Sequence, residues 1–271
     1  MVLNIAPRWD GDVAVQYSFN WNRVLIETLQ CDPVELLEED ATRSKFEAAL
    51  KEHAIDTVIF YDHGSETGLV AQGGTGYIVD KNNADKLKGK EVFTMCCLAA
   101  VDLGKYAYRQ GAKAWWGYTK PFSFIPQDEQ IYMKLANMGL IERRTGGSWM
   151  KAHEKTYDAY TDTIERIREE GGNPWTIITL VNNRDCLVVW CNENPPETDC
   201  PFRYAAIGLF GLSGHKISRS YGIALSMNVL LLIYALYIHS SGWSPRGVTI
   251  LLTLGGTQWW MFRKYLEALK T

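Results

Sequence analysis

Residues 55–68 read IDTVIFYDHGSETG, and residues 87–100 read LKGKEVFTMCCLAA. Each stretch contains a short run of β-branched and aromatic residues, TVIFY (57–61) and EVFTM (91–95), the composition of a buried strand. Each run ends in residues that carry chemistry. His63 and Gly64 stand just past the first, and Cys96 and Cys97 just past the second. Outward from these two runs, apolar segments alternate with amphipathic ones. Strands are expected at DVAVQYSF (12–19), AKAWWGYT (112–119) and DCLVVW (185–190). Helices are expected at NRVLIETLQ (22–30), ATRSKFEAALKEH (41–53, capped by Asp40 or Thr42) and VDLGKYAYRQG (101–111, closed by Gly111). Two longer helices follow in 128–144 and 148–170, and Pro174 restarts one through TIITLVNN (176–183). Repeated strand–helix alternation predicts an α/β domain with a mainly parallel sheet covered by helices.

In open sheets of this class, loops at the carboxyl ends of the strands converge into sites. Neighbouring strands ending in His63 and Cys97 would set an imidazole beside a thiol. A thiolate is the nucleophile in acyl transfer, and a nearby imidazole can generate it and later protonate a leaving amine. Gly64 lacks a Cβ, so its N–H can approach a substrate carbonyl and form an oxyanion hole with the Cys97 N–H.

On these residues the chain resembles the caspase-like cysteine peptidase superfamily of caspases, legumains, clostripains, gingipains and separases. VIFYDHGS and VFTMCC match its two strand-end signatures, His-Gly and small residue–Cys, and HGSETGL is similar to the HGS-x-TG pattern of legumain-like and gingipain-like members. The resemblance spans roughly residues 10–195, with its specific part at 58–119. It implies a caspase-like sheet, endopeptidase activity through a His63–Cys97 dyad, and neither metal nor cofactor. It also makes Cys96 the small residue before the nucleophile. The doublet departs from the usual motif, and strand alternation alone does not choose between the two cysteines.

Other residues read more plainly. His53, His153, His215 and His239 are structural, and Cys31, Cys186, Cys191 and Cys200 are packing residues or inert thiols. No CxxC pair accompanies Cys191 and Cys200, so zinc is not expected. Adjacent Trp115 and Trp116 face opposite sides of a strand. One belongs to the core, and Trp116 is the candidate for a substrate pocket. Asp62 either orients His63 or points away from it. A net charge of -3 opposes a nucleic-acid partner. The start MVLNIAPRWDGD shows no cleaved secretory signal, which favours reduced thiols.

Beyond residue 203 the pattern changes, dividing a peptidase domain (1–203) from a membrane-anchoring helical hairpin (204–271). YGIALSMNVLLLIYALYIHS (221–240) contains no Asp, Glu, Lys or Arg and is long enough to span a bilayer. GVTILLTLGGTQWWMF (247–262) is a shorter second run, joined through SGWSPRG. Lys216 and Arg219 before the pair and Arg263, Lys264 and Lys270 after it put both ends, and the peptidase domain, on the cytoplasmic side. The expected partners are a protein or peptide substrate and a lipid bilayer, and self-association into a homo-oligomer stays open. A non-catalytic adaptor or assembly module of the same fold is the alternative function.

Overall fold

Six strands join in one sheet, in the order Val34–Leu37, Val2–Ala6, Thr57–Tyr61, Glu91–Met95, Ala114–Tyr118, Leu187–Cys191. In the computed structural model, which describes residues 1–196, these are β1 (Val2–Ala6), β2 (Val34–Leu37), β3 (Thr57–Tyr61), β6 (Glu91–Met95), β7 (Ala114–Tyr118) and β8 (Leu187–Cys191). All neighbours run parallel except β8, which is antiparallel to β7. Two further strands, β4 (Gly68–Val70) and β5 (Tyr77–Asp80), form a separate antiparallel hairpin between β3 and β6. One compact unit runs from Met1 to Pro196. The expected hairpin 204–271 lies outside the described residues. Among those described, no helix is long and apolar enough to cross a membrane.

The period of two along each strand sorts the core into two layers. Ile59 and Tyr61 of β3, Phe93 of β6 and Trp116 of β7 share one layer with residues of α1 (Val13–Leu29), α4 (Glu129–Arg144), α5 (Trp149–Glu169) and α6 (Pro174–Cys186). Val58, Phe60, Val92 and Trp115 point the other way, into a layer closed by α2 (Arg43–Glu52) and α3 (Leu103–Arg109). The adjacent tryptophans thus serve opposite cores, as strand alternation requires. Trp116 stacks on Phe93 at 5.6 Å and tilts against Trp149 at 5.8 Å. A Cβ on Gly139 would sit 2.2 Å from the Trp116 ring, so glycine there lets α4 lie flat on the indole. Removing such a buried ring destabilises a domain by about 3–5 kcal/mol.

One expected strand is a helix. Residues 12–19 open α1, because Asp12 caps it by accepting from the Ala14 and Val15 N–H groups at 3.0 and 3.2 Å. The Val-Ala-Val alternation suggested a strand, yet the buried residues Val15, Ser18, Phe19, Asn22 and Ile26 recur at three- and four-residue steps. Asn4 and Asn22 exchange two buried amide hydrogen bonds at 2.9 and 2.7 Å, tying β1 to α1. The strand preceding this helix is VLNIA at residues 2–6. Of the two candidate caps it is Thr42, not Asp40, that caps α2, and Pro174 sits in the first turn of α6 as expected from sequence.

Candidate active site

Parallel register aligns the two chemical strand ends. Across β3 and β6, Tyr61 pairs with Met95, so His63 and Cys97 each stand two residues beyond a matched pair. Neighbouring strands lie about 4.8 Å apart, so the two strand ends leave the sheet side by side. The Asp62 N–H extends this ladder to the Met95 carbonyl at 3.4 Å. His63, Cys97 and Asp62 all line one cavity of about 90 Å³, walled by Trp21 of α1 and by Phe122 and Phe124 of the loop after β7.

Each strand end has its own turn. After His63-Gly64, the Ser65 hydroxyl accepts from the Thr67 and Gly68 N–H groups at 3.2 and 3.1 Å, reversing the chain into β4. Gly64 pairs across this turn with Leu69. A Cβ on Gly64 would lie 2.7 Å from both Cys96 Sγ and the Cys97 carbonyl oxygen. Glycine is what allows the two turns to touch. After Cys97 the chain bends sharply, with Leu98 at φ +62°, a conformation uncommon for side chains other than glycine. Bonds from Ala100 N–H to the Tyr118 carbonyl (3.2 Å) and from Val101 N–H to the Leu98 carbonyl (2.9 Å) hold that bend. Among the described residues, neither the Gly64 nor the Cys97 N–H donates to a protein acceptor.

His63 is oriented by a residue the sequence did not single out. Its Nε2 lies 2.8 Å from Asp12 Oδ2, the capping side chain of α1. Partial burial pushes Asp12 up, but the His63 hydrogen bond, the Val15 and Ala14 N–H groups and the His63 charge outweigh it and hold the carboxyl below its ordinary value. An ionised carboxylate can only accept. The proton therefore sits on Nε2, which leaves the Nδ1 lone pair as the basic nitrogen of the neutral ring. Trp9 packs beside the ring, with centroids 6.1 Å apart.

The two cysteines differ in access. Cys96 is buried, and its thiol is pushed well above the ordinary value by that burial, with the nearby Cys97 and Asp62 adding to it. Cys97 is half-buried, and burial raises its thiol as well. Its S–H approaches the Phe122 carbonyl at 3.9 Å. Phe122 is held from α6, where Asn183 bonds both the N–H and the carbonyl of Ser123, at 3.0 and 2.7 Å, and Asn182 bonds the Pro121 carbonyl at 2.9 Å.

Trp116 is placed elsewhere than expected. It is buried against Phe93, Trp149 and His153 and takes no part in the cavity. Trp21 is the tryptophan that lines it, with its indole Nε1–H donating to Glu129 at 3.1 Å. Asp62 neither orients His63 nor reaches solvent. It is 5% exposed, and neither carboxyl oxygen has a hydrogen-bond partner. Burial pushes it up to about 8; the adjacent His63 backbone N–H opposes the rise, and the Asp12 charge adds to it.

Among known proteins, no family model, no curated protein and no solved structure matches this chain.

Proposed function

We propose that the chain is a cysteine endopeptidase of caspase-like type, with Cys97 as nucleophile and His63 as general base and acid. The observation that carries this reading is the shared cavity: an imidazole and a half-buried thiol at equal offsets past two adjacent parallel strands. The thiol is protonated in the free protein, because burial raises it. Proton removal then accompanies attack, in place of a preformed thiolate pair.

In the proposed reaction, the Cys97 proton passes to His63 Nδ1 while sulfur bonds to the substrate carbonyl carbon. The carbonyl electron pair moves onto oxygen, where the Gly64 and Cys97 N–H groups receive the charge. Each such donor contributes about 10²- to 10³-fold in rate. The tetrahedral species collapses, the C–N bond breaks, and His63 protonates the departing amine. A thioester remains. Water attacks it with His63 again as base, and a carboxylic acid and the free thiol are released.

A second reading, a non-catalytic adaptor of the same fold, is favoured by the raised Cys97 thiol and its contact with the Phe122 carbonyl. Incubation of the full-length chain with a fluorogenic peptide library separates the two. The peptidase reading expects cleavage that Cys97→Ala and His63→Ala each abolish. Cleavage that persists in either variant overturns the His63–Cys97 dyad, and none under any condition supports the adaptor. In the same proposal the charge-free run 221–240 anchors the domain to the cytoplasmic face of a membrane.

A further inference from the structure

We propose that the cavity beside Cys97 receives an uncharged aliphatic side chain of about leucine size, from the substrate residue before the cut. This rests on the peptidase reading and names the substrate class of the same site. The cavity touches both His63 and Cys97, so the side chain nearest to it belongs to the residue whose carbonyl is attacked. Its accessible wall is carbon. Ala14 at the start of α1 and Phe122 and Phe124 in the loop after β7 are half-buried, and buried Val15, Trp21 and Met95 stand behind them.

The polar side chains of the lining are turned away from an incoming group. The Ser18 hydroxyl donates to the Val15 carbonyl of its own helix at 3.0 Å, and the Trp21 indole N–H donates to Glu129 at 3.1 Å. Both Asp62 oxygens are shut off from the surface, and burial keeps that carboxyl protonated at neutral pH, so it presents no charge. Cys96 is buried, which leaves His63 and Cys97, the pair that acts on the scissile bond. An entering ammonium, guanidinium or carboxylate would lose its water and find no opposite charge, and an amide would lose hydrogen bonds in the same way. Only an apolar side chain gains by entering.

Shape sets the size of the occupant. The Trp21 ring meets Phe124 and Phe122 edge-on, at 5.1 and 6.2 Å, and Phe122 meets Tyr118 at 5.0 Å. Asn183 fixes the loop between the two phenylalanines through both backbone groups of Ser123. The enclosed space is about 90 Å³. Sites for whole small molecules run to roughly 300–1,000 Å³, so this one fits a single aliphatic side chain.

The test uses the full-length chain and peptides that differ only in the residue before the scissile bond. Leucine should exceed alanine in kcat/KM by at least about 10-fold, the effect of unfilled methylene space in an apolar pocket. It should exceed asparagine, its near-isostere, by a similar factor, and aspartate and lysine by more. Ala14→Leu narrows the cavity and should lower the leucine-to-alanine ratio by about 10-fold or more. Asparagine, aspartate or lysine cut as fast as leucine, or an unchanged ratio in a folded Ala14→Leu, overturns the proposal and leaves the dyad standing. If that variant does not fold, the peptide series on the unaltered chain decides the question. Should no peptide be cut, the peptidase reading fails, and protection of Cys97 from iodoacetamide, read by mass mapping, judges the cavity alone. N-acetyl-leucine amide should then protect Cys97, and N-acetyl-asparagine amide should not. Equal protection by the two would remove the apolar preference as well.

Discussion

Asp12 Oδ2 lies 2.8 Å from His63 Nε2, joining residues 51 positions apart in the chain. The other carboxylate oxygen of the same side chain caps α1 through the Ala14 and Val15 N–H groups. One residue therefore starts a helix and fixes the tautomer of an imidazole. The two duties can be separated by mutation.

Asp12→Asn keeps an oxygen for the cap but turns an amide NH₂ toward Nε2, which drives the ring proton to Nδ1 and removes the basic lone pair. Urea unfolding should change by less than about 1 kcal/mol, because Asn and Asp cap nearly equally well. Peptide turnover should fall by about 10²- to 10⁴-fold, the usual weight of a general base. Asp12→Ala should lose both stability and turnover. An Asp12→Asn variant with full activity would reduce Asp12 to a helix cap.

Asp62 makes stability fall as pH rises. Its folded value is raised to about 8, above the ordinary carboxylate value, so the native state holds a proton that the unfolded chain releases near pH 4. Stability from this group is complete below the unfolded value and is lost progressively up to the folded one. The charged and titratable groups around it are His63, Asp12, Cys96 and Cys97; the His63 backbone N–H lowers its value and Asp12 raises it, both less than burial does. Denaturant unfolding of Asp62→Asn should match the unaltered chain near pH 4 and exceed it increasingly toward pH 8. A gap independent of pH would show that Asp62 is not a buried protonated carboxyl.

Gly64→Ala would force a Cβ to within 2.7 Å of Cys96 Sγ and the Cys97 carbonyl oxygen. The two turns must part to admit it. Overpacking of this kind destabilises by about 1–3 kcal/mol, and separating the turns should also remove peptide cleavage. Unfolding and turnover measured on the same preparation check both effects. An alanine variant that keeps full stability and activity would mean the contact between the turns is dispensable.

Legibility in sequence followed distance along the chain. His63-Gly64 and Cys96-Cys97 were readable because each lies directly after its own strand, and the alternating helices and strands sufficed for the sheet class. The first strand, VLNIA, and the β4–β5 hairpin are too short to show a distinguishing period. Asp12 was hidden because residues 12–19 alternate like a strand, while the cap that makes them a helix depends on one side chain. Phe122 and Phe124 were out of reach for another reason. Their loop is pinned by Asn183, 60 positions from Ser123, and no local pattern encodes such a pairing. Strand alternation separated Trp115 from Trp116 but carried no information about which layer would cover each.

The charge-free run 221–240 predicts that the full-length chain stays with the membrane pellet after alkaline carbonate extraction. Deleting residues 204–271 should move the chain to the supernatant. Extraction of the full-length chain into the soluble fraction would remove the anchor from the proposal and leave the dyad untouched.

The most direct measurement is the site of covalent capture by a peptidyl acyloxymethyl ketone, located by mass mapping of the full-length chain. The adduct should fall on Cys97, should disappear in His63→Ala, and should survive Cys96→Ala, which removes little volume beside Gly64. An adduct on Cys96, equal labelling of Cys31 and Cys97, or labelling that does not need His63 would contradict a Cys97–His63 peptidase.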